Sequence, residues 1–462
     1  MSAHPIPIST GALALAGEAW SALNGPASAL DHLCLAGRGD LPSVFPVTDL
    51  ATASVGVAGL ALAELLAQSG GAWPAVQVDR RLASFWFGMS LRPQGWALPP
   101  VWDAVAGDYR AADGWVRLHT NAPQHRAAAL AILGVQAERE AVVRAVAGWN
   151  ADALEAAVVE RGGCAATMRS VAQWDAHPQG RTVQAEPLVH WNIENPVTQP
   201  DWRSDPARPL RGVRVLDLTR ILAGPTATRF MAGFGADVLR IDPPGWEEPV
   251  TVPEVVLGKR CARLDLQVPD DRSVFEDLLR QADVLVHGLR PGALERLGLG
   301  AQRRRELNPG LVDVSLNAYG WSGPWQDRRG FDSLVQMSTG IAEAGMRCSG
   351  QGRPVPLPVQ AIDHATGYLM AAAAVRGLVL RRATGSGCTV RTSLARTAHW
   401  LAAAERQAAE PLAPEQSSDW GEALEPTSWG PARRVLPPLQ VQGAAMRWDR
   451  PALALGSALA HW

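Results

Sequence analysis

Residues 211–245 (RGVRVLDLTRILAGPTATRFMAGFGADVLRIDPPG) constrain the fold of this chain more than any other segment. A short apolar stretch around Val215 is followed by the turn residues Ala223-Gly224-Pro225, a helical stretch and a second apolar stretch around Leu239. Two buried strands joined by one crossover helix form a parallel β-α-β unit. We therefore expect an α/β fold in which an open, mainly parallel, Rossmann-like sheet carries helices on both faces. In such sheets ligands bind beyond the carboxyl ends of the strands.

The composition indicates a globular enzyme with a large core. The chain has 462 residues, 47% hydrophobic and 19% charged, with a formal net charge of -2. This charge gives no electrostatic reason to expect nucleic-acid or membrane binding. The five cysteines form no CxxC pair, which favours reduced thiols in a cytoplasmic protein over disulfides or a metal site. The bias of one lysine against 42 arginines suggests a bacterial gene. The apolar stretch from Leu50 to Leu66 contains Glu64, and we interpret it as a buried core helix.

A weak internal repeat is visible in the chain. One copy has Asp49 and the other has Asp363 between a proline-containing loop and a long apolar stretch. In both copies a glycine turn, a strand-like stretch and a further helical stretch follow. We expect each copy to form an aspartate-bearing helix followed by a strand and a helix.

Several motifs resemble those of the family III CoA-transferases, also called the CaiB/BaiF group. Three segments in the second half of the chain match family motifs: residues 211–245, Gly258-Lys259-Arg260 and RPGALERLG at 290–298. Looser matches lie in the first half, in the DGW strand at 113–115 and in His177-Pro178. Because an aspartate helix and a small domain precede the CoA-binding half, the chain resembles two fused family members, each lacking the complementary half.

This resemblance implies five segments. They are a helical first repeat copy (1–90), a small α+β domain (91–195), a linker (196–210), a CoA-binding Rossmann-like domain with the nucleophile helix (211–405) and a C-terminal return segment (406–462).

The resemblance also implies an acyl-CoA:carboxylate CoA-transferase with a covalent aspartyl-CoA intermediate on Asp363 and coenzyme A as the cosubstrate. The macrodipole of its helix would keep the Asp363 carboxylate ionised at pH 7. The backbone N–H of Ala223 would have an oxyanion-type role. The predicted CoA contacts are Lys259, Arg260, Arg296, Leu297 and Arg329. Leu222, where some transferases have glutamine, suggests an apolar acyl site.

Alternatives remain open at this point. Asp49 is the rival nucleophile, although no CoA-binding half precedes it in its own copy. An α-methylacyl-CoA racemase needs two acid/base groups, and Phe331 stands where racemases have a histidine. His364 beside Asp363 is one position away from the family pattern, and we interpret it as a residue of the first helical turn. A degenerate, non-catalytic CoA-binding protein is a further alternative, whereas no GxGxxG motif supports a dehydrogenase.

The expected partners are an acyl-CoA and a carboxylic acid, with no metal, nucleic acid or membrane. Ordinary family members form interlocked homodimers, so the resemblance implies a possible homodimer. A fused chain would also be able to supply both walls of the active site by itself.

Overall fold

A computed structural model describes residues 10–197, 202, 204–407 and 410–462. The first nine residues, residues 198–201 and 203 of the predicted linker, and residues 408–409 lie outside the described residues. The α-helices of this part of the chain are α1 Thr10–Ala22, α2 Val47–Ala67, α3 Arg80–Trp86, α4 Pro123–Leu133, α5 Arg139–Val146, α6 Ala151–Glu160, α7 Val171–Ala176, α8 Pro178–Ala185, α9 Ala223–Gly233, α10 Val252–Val255, α11 Pro269–Gln281, α12 Ala293–Arg296, α13 Ala301–Leu307, α14 Asp332–Ser338, α15 Ile341–Ser349, α16 Ala361–Thr384 and α17 Leu394–Ala403.

The strands of the same residues are β1 Leu33–Ala36, β2 Val76–Asp79, β3 Leu91–Pro93, β4 Gly107–Arg110, β5 Trp115–Leu118, β6 Ala165–Thr167, β7 His190–Pro196, β8 Arg214–Leu218, β9 Asp237–Asp242, β10 Arg260–Arg263, β11 Val284–His287, β12 Val312–Asn317, β13 Ser386–Ser393, β14 Glu425–Thr427, β15 Gly430–Arg434 and β16 Leu439–Val441.

The largest sheet has seven strands in the order β10-β9-β8-β11-β12-β13-β7. Its strands are parallel except β7, which pairs antiparallel with β13. The six parallel strands reverse direction of winding between β8 and β11, which is the topological switch point of a Rossmann-type sheet. The predicted α/β fold with an open, mainly parallel sheet is therefore confirmed.

Successive side chains of the strands point to opposite faces of this sheet, and each face packs in a different apolar core. Val215, Val284 and Val312 pack on the side of α9 and α16, whereas Leu216 and Leu285 pack on the side of α11. This division follows from the two-residue period of a strand. Because both faces are covered, the C-terminal edge of the sheet is the part left for ligands.

The repeat is visible in the structure as two equivalent units. In the second unit α16, β13 and α17 follow one another, and β13 lies between parallel β12 and antiparallel β7. In the first unit α2, β2 and α3 follow one another, and β2 lies between parallel β1 and antiparallel β16. The long helices α2 and α16 pack against each other in the main core.

The helix α2 is long and apolar enough to cross a membrane, and 83% of its most apolar window is buried inside the protein. It is therefore a core helix, as the sequence suggested.

The small domain consists of the antiparallel sheet β4-β5-β6 with α4, α5 and α6, which enclose a separate apolar core. Its strands β5 and β6 contact α14 of the large domain. The small domain of this chain therefore lies beside the large domain of the same chain.

Candidate active site

Two of the predicted site segments, the one with Ala223-Gly224-Pro225 and the RPGALERLG segment, follow the two strands at the switch point of the large sheet. The turn at 219–222 leaves β8 and leads into α9, and the loop at 288–292 leaves β11 and leads into α12. The helix α16 precedes its parallel strand β13, so its first turn lies at the same edge as the carboxyl ends of the strands. This edge therefore holds Asp363 and the two segments.

Asp363 lies in the first turn of α16 and is 7% exposed. Its backbone N–H donates to the Oδ2 of Asp332 at 2.9 Å, and Asp332 itself is the first residue of α14 and fully buried. The amide of Gln336 donates to the other oxygen of Asp332. No side chain or backbone N–H of the described residues donates to the carboxylate of Asp363. Asp332 therefore fixes the start of α16 and leaves the Asp363 carboxylate unpartnered.

The pKa of Asp363 lies well above its ordinary value, because the carboxyl is buried and because the negative charge of Asp332 is near. Burial also raises the pKa of Asp332, to about 6, although hydrogen bonds from Gln336 and from the start of α16 oppose the rise. Burial and the like charge of Asp332 therefore oppose the stabilisation of the Asp363 anion that was expected from the helix dipole. Asp332 accepts hydrogen bonds that stabilise its charge, whereas the carboxylate of Asp363 accepts none from the described residues.

The residues Ala223-Gly224-Pro225 form the first turn of α9 and not a loop before it. The backbone N–H groups of Ala223 and Gly224 donate to no acceptor among the described residues. A Cβ on Gly224 would lie 2.2 Å from the side chain of Thr219, so only glycine fits there. A Cβ on Gly367 would lie 2.4 Å from the carbonyl oxygen of Ala223, which brings α9 into contact with α16 one turn after Asp363.

Three arginines form a positive cluster on the other side of the switch point. Arg290 and Arg296 are exposed and Arg329 is half-buried. Burial lowers the pKa of Arg290, and repulsion from Arg329 and Arg296 lowers it further. Among the described residues, Arg290 and Arg296 have no carboxylate within ion-pair distance, and Arg329 donates to the carbonyl of Gly162 at 2.6 Å. Uncompensated guanidinium groups favour a phosphate-bearing ligand.

The other predicted CoA contacts have different surroundings. Leu297 is half-buried and packs against the core on the α11 face. Arg260 forms an ion pair with Asp237 at 2.8 Å. Lys259 is fully buried, and its Nζ lies 2.9 Å from the Oδ2 of Asp217. The prediction that Lys259 meets a phosphate therefore needs correction, because its ammonium group neutralises a carboxylate of β8 inside the protein.

Asp49, the rival nucleophile, occupies the position in α2 that Asp363 occupies in α16. It is 4% exposed and forms an ion pair with Arg80, which also binds Asp40 at 2.7 Å. A Cβ on Gly11 would lie 2.6 Å from its carboxylate, so α1 covers it. Asp49 is thus a partner in a buried ion-pair network, in contrast to Asp363.

The small domain contributes an aromatic wall next to Asp332. The ring of His119 stacks on Phe331 with centroids 3.9 Å apart, and its Nδ1 lies 3.3 Å from the hydroxyl of Ser333. Burial lowers the pKa of His119 to about 3 and that of His125 to about 4, so both rings are neutral at pH 7. His364 instead points into the core, where it stacks on Phe87 with centroids 5.2 Å apart.

Sequence reasoning missed two features of this site. Phe331 was predicted to replace a racemase histidine, but neither the adjacent Asp332 nor His119 was predicted as a site residue. The acidic residue at the start of α14 was the available signal for Asp332. No local signal marks His119, because its partner is 214 positions away along the chain.

Comparisons with known proteins find relatives of the second half of the chain. The model of CoA-transferase family III matches residues 210–428. An acetyl-coenzyme A transferase, nodX of Hypoxylon pulicicidum, is 35% identical over 207 residues, which cover 44% of this chain and 35% of that protein. A probable fatty acyl-CoA transferase of Mycobacterium tuberculosis is 34% identical over 208 residues, which cover 41% of this chain and 52% of that protein.

Among solved structures, that of Rv3272 from M. tuberculosis is similar with 33% identity and a TM-score of 0.38, and the match covers 42% of this chain and 57% of that one. The chain thus spans about a third to a half of the length of these curated relatives. Over residues 210–428, the chain is therefore similar to CoA-transferase family III.

Proposed function

We propose that this protein transfers CoA from an acyl-CoA to a carboxylic acid, with Asp363 as the covalent nucleophile. The observation that carries the proposal is the Asp363 carboxylate, which is buried at the ligand edge of the sheet and accepts no hydrogen bond from the described residues. Such a group is poorly solvated and therefore reactive once it loses its proton. The equivalent Asp49 is tied to Arg80 and is unsuited to attack a substrate.

In the first half-reaction the Asp363 carboxylate attacks the thioester carbonyl, a C–O bond forms and the C–S bond breaks. The CoA thiolate that leaves then attacks the Asp363 carbonyl of the mixed anhydride and releases the first acid as its carboxylate. An aspartyl-CoA thioester results. The acceptor carboxylate attacks this thioester in turn, and the released thiolate attacks the acyl carbonyl of the new anhydride. This step gives the product acyl-CoA and regenerates Asp363.

We propose that the N–H groups of Ala223 and Gly224, which donate to no acceptor among the described residues, stabilise the oxyanion that develops at each attack. The cluster of Arg290, Arg296 and Arg329 would hold the phosphates of CoA. We propose Leu297 as an apolar contact of the same ligand, whereas Lys259 and Arg260 have structural ion pairs.

The acyl site is proposed to be apolar and to suit a monocarboxylic acyl group. Leu222 is 9% exposed, and the ring of Phe331 is covered by neutral His119. The printed name of one relative, a probable fatty acyl-CoA transferase, is compatible with such a substrate. All five cysteines are free, which fits a cytoplasmic enzyme.

A single chain is proposed as the active unit, because strands β5 and β6 of the small domain contact α14 of the same chain. A homodimer stays a prediction, and light scattering at the enzyme concentration of the assay would test it. Activity per chain that stays constant on dilution to the monomer would support the single-chain site.

The proposal is tested by mass spectrometry of the intact protein after incubation with a panel of acyl-CoAs and trapping with hydroxylamine or borohydride. We expect an adduct in the wild-type protein and in Asp49→Ala, and its loss in Asp363→Ala. An adduct that persists in Asp363→Ala would contradict the proposed nucleophile. CoA binding without any adduct would instead favour a degenerate binding protein.

The racemase alternative is distinguished by exchange of the α-proton of 2-methylacyl-CoA in deuterated water. Phe331 has no titratable group, and the pKa of the adjacent His119, lowered by burial to about 3, makes that ring a weak base. We therefore expect no exchange above the rate seen with Asp363→Ala.

A further inference from the structure

The turn between β8 and α9 has an unusual backbone conformation. Ile221 has φ +64°, and the next residue, Leu222, has φ -139° and ψ -54°. A β-branched residue rarely adopts the left-handed region, because its side chain crowds the backbone. Something else in the structure must therefore hold Ile221 in place.

Glu248 holds it. This side chain is buried, and its Oε1 accepts hydrogen bonds from the backbone N–H of Ile221 and from the indole N–H of Trp246, each at 2.9 Å. Its Oε2 accepts a hydrogen bond from the Nη2 of Arg240 at 2.9 Å. Arg240 is in turn fixed by two hydrogen bonds to Asp242 on β9. The carboxylate of Glu248 is thus immobilised by three donors, one of which is the strained turn.

The charge of Glu248 matters for this arrangement. Hydrogen bonds to an ionised acceptor are roughly twice as strong as those between neutral groups, and they can offset the cost of one left-handed residue. A glutamine at this position would turn its carbonyl oxygen to Arg240. Its NH2 group would then face the N–H of Ile221, and two donors would oppose each other.

The turn leads directly to the proposed active site. Ala223 and Gly224, two and three residues after Ile221, carry the free N–H groups of the first turn of α9. The carbonyl of Ala223 lies against Gly367, one helical turn after Asp363. The conformation of Ile221 therefore sets where these N–H groups lie relative to the unpartnered Asp363 carboxylate.

We propose that Glu248 is a positioning residue for acyl transfer, which acts through Ile221 to aim the N–H groups of Ala223 and Gly224 at the reacting carbonyl. This inference rests on the proposed function of Asp363. Glu248 itself touches neither substrate nor CoA, so its removal changes the rate of acylation and leaves CoA affinity intact.

The test uses Glu248→Gln with Glu247→Gln as the matched control, because Glu247 is the exposed neighbour of Glu248 and, among the residues that the structure describes, forms an ion pair only with Arg263. The rate at which acyl-CoA modifies Asp363 is measured by rapid quench and mass spectrometry, and the Kd for CoA by calorimetry. For Glu248→Gln we expect acylation to slow by about 10- to 100-fold, as for a small misplacement of a catalytic group. The Kd should change by less than about twofold, and Glu247→Gln should match the wild-type protein.

A second variant separates positioning from a general loss of structure. Glycine adopts φ +64° without steric cost, so Ile221→Gly in the Glu248→Gln background should recover at least part of the lost acylation rate. An unchanged acylation rate in Glu248→Gln, or a rate and a Kd that deteriorate together without rescue by Ile221→Gly, would overturn the inference. If wild-type Asp363 forms no adduct, the proposed function fails first and the positioning role fails with it.

Discussion

The substitution Asp363→Asn should abolish transfer and at the same time stabilise the protein. Asparagine keeps the shape of the side chain and the backbone N–H that donates to Asp332, but it cannot ionise. In the wild-type protein, ionisation of Asp363 places a second negative charge beside Asp332 in a buried site. The free energy of unfolding of the wild-type protein therefore includes a penalty that the variant lacks.

The magnitude follows from the neighbouring carboxyl. Burial raises the pKa of Asp332 from 3.8 to about 6, and a rise of about two pKa units corresponds to about 3 kcal/mol. Asp363 lies in the same surroundings and lacks hydrogen-bond donors, so its removal should increase the free energy of unfolding by about 1–3 kcal/mol at pH 8. Because the pKa of Asp363 is higher in the folded state than in the unfolded state, the free energy of unfolding of the wild-type protein is greatest below the unfolded pKa. It falls as pH rises through the folded pKa. The advantage of the variant should thus be small near pH 4 and grow towards pH 8.

Thermal unfolding of both proteins at pH 4.5 and pH 8 measures this difference, which should amount to a Tm gain of a few degrees at pH 8. Asp49→Asn is the control, because the same change in α2 removes the partner of Arg80 and should destabilise the protein by about 3 kcal/mol. The reasoning is refuted if Asp363→Asn is no more stable than the wild-type protein at pH 8, or if its gain is the same at both pH values.

Three further outcomes are expected. Single substitutions Arg290→Ala and Arg296→Ala should each weaken CoA binding by about fivefold at low salt, a difference that shrinks at 1 M salt in a calorimetric titration; salt-independent losses would argue against phosphate contacts. Lys259→Met should leave the Kd for CoA unchanged but lower the free energy of unfolding by about 3 kcal/mol, since buried Asp217 loses its partner; the reverse pattern would restore Lys259 to the CoA site. Gly367→Ala should slow acylation at least tenfold, because its Cβ would lie 2.4 Å from a carbonyl oxygen of α9; a normal rate in the quench assay would contradict that contact.

The fold was accessible from the sequence because its signals are local. The apolar stretches around Val215 and Leu239 define two strands by their length and by the turn residues beside them. The repeat around Asp49 and Asp363 was also visible, since equivalent units keep the same order of elements. The RPGALERLG segment, recognised by its resemblance to a family motif, follows β11 at the ligand edge of the sheet.

The chemistry of the site was less accessible because it depends on contacts between distant segments. Asp49 and Asp363 have similar sequence surroundings, yet only Asp49 meets an arginine from a neighbouring helix. Whether the side chain of Lys259 faces solvent or Asp217 depends on how the start of β10 packs against β8, which lies far away in the sequence. The pKa of Asp363 is raised by its burial and by the charge of Asp332, and no periodic pattern in the sequence reveals either.

The way in which early strands pair with late strands has a consequence for synthesis. Strands β2 and β3 pair with β16 and β15, and β7 pairs with β13. At 5–20 residues per second, the ribosome needs roughly 20 to 70 s to travel the approximately 360 residues that separate β2 from β16. During this interval the nascent first unit exposes the apolar faces of α2 and an unpaired strand edge. The first unit therefore cannot complete its sheet until the last strands have been synthesised, whereas each half of a protein with two self-contained halves can do so earlier.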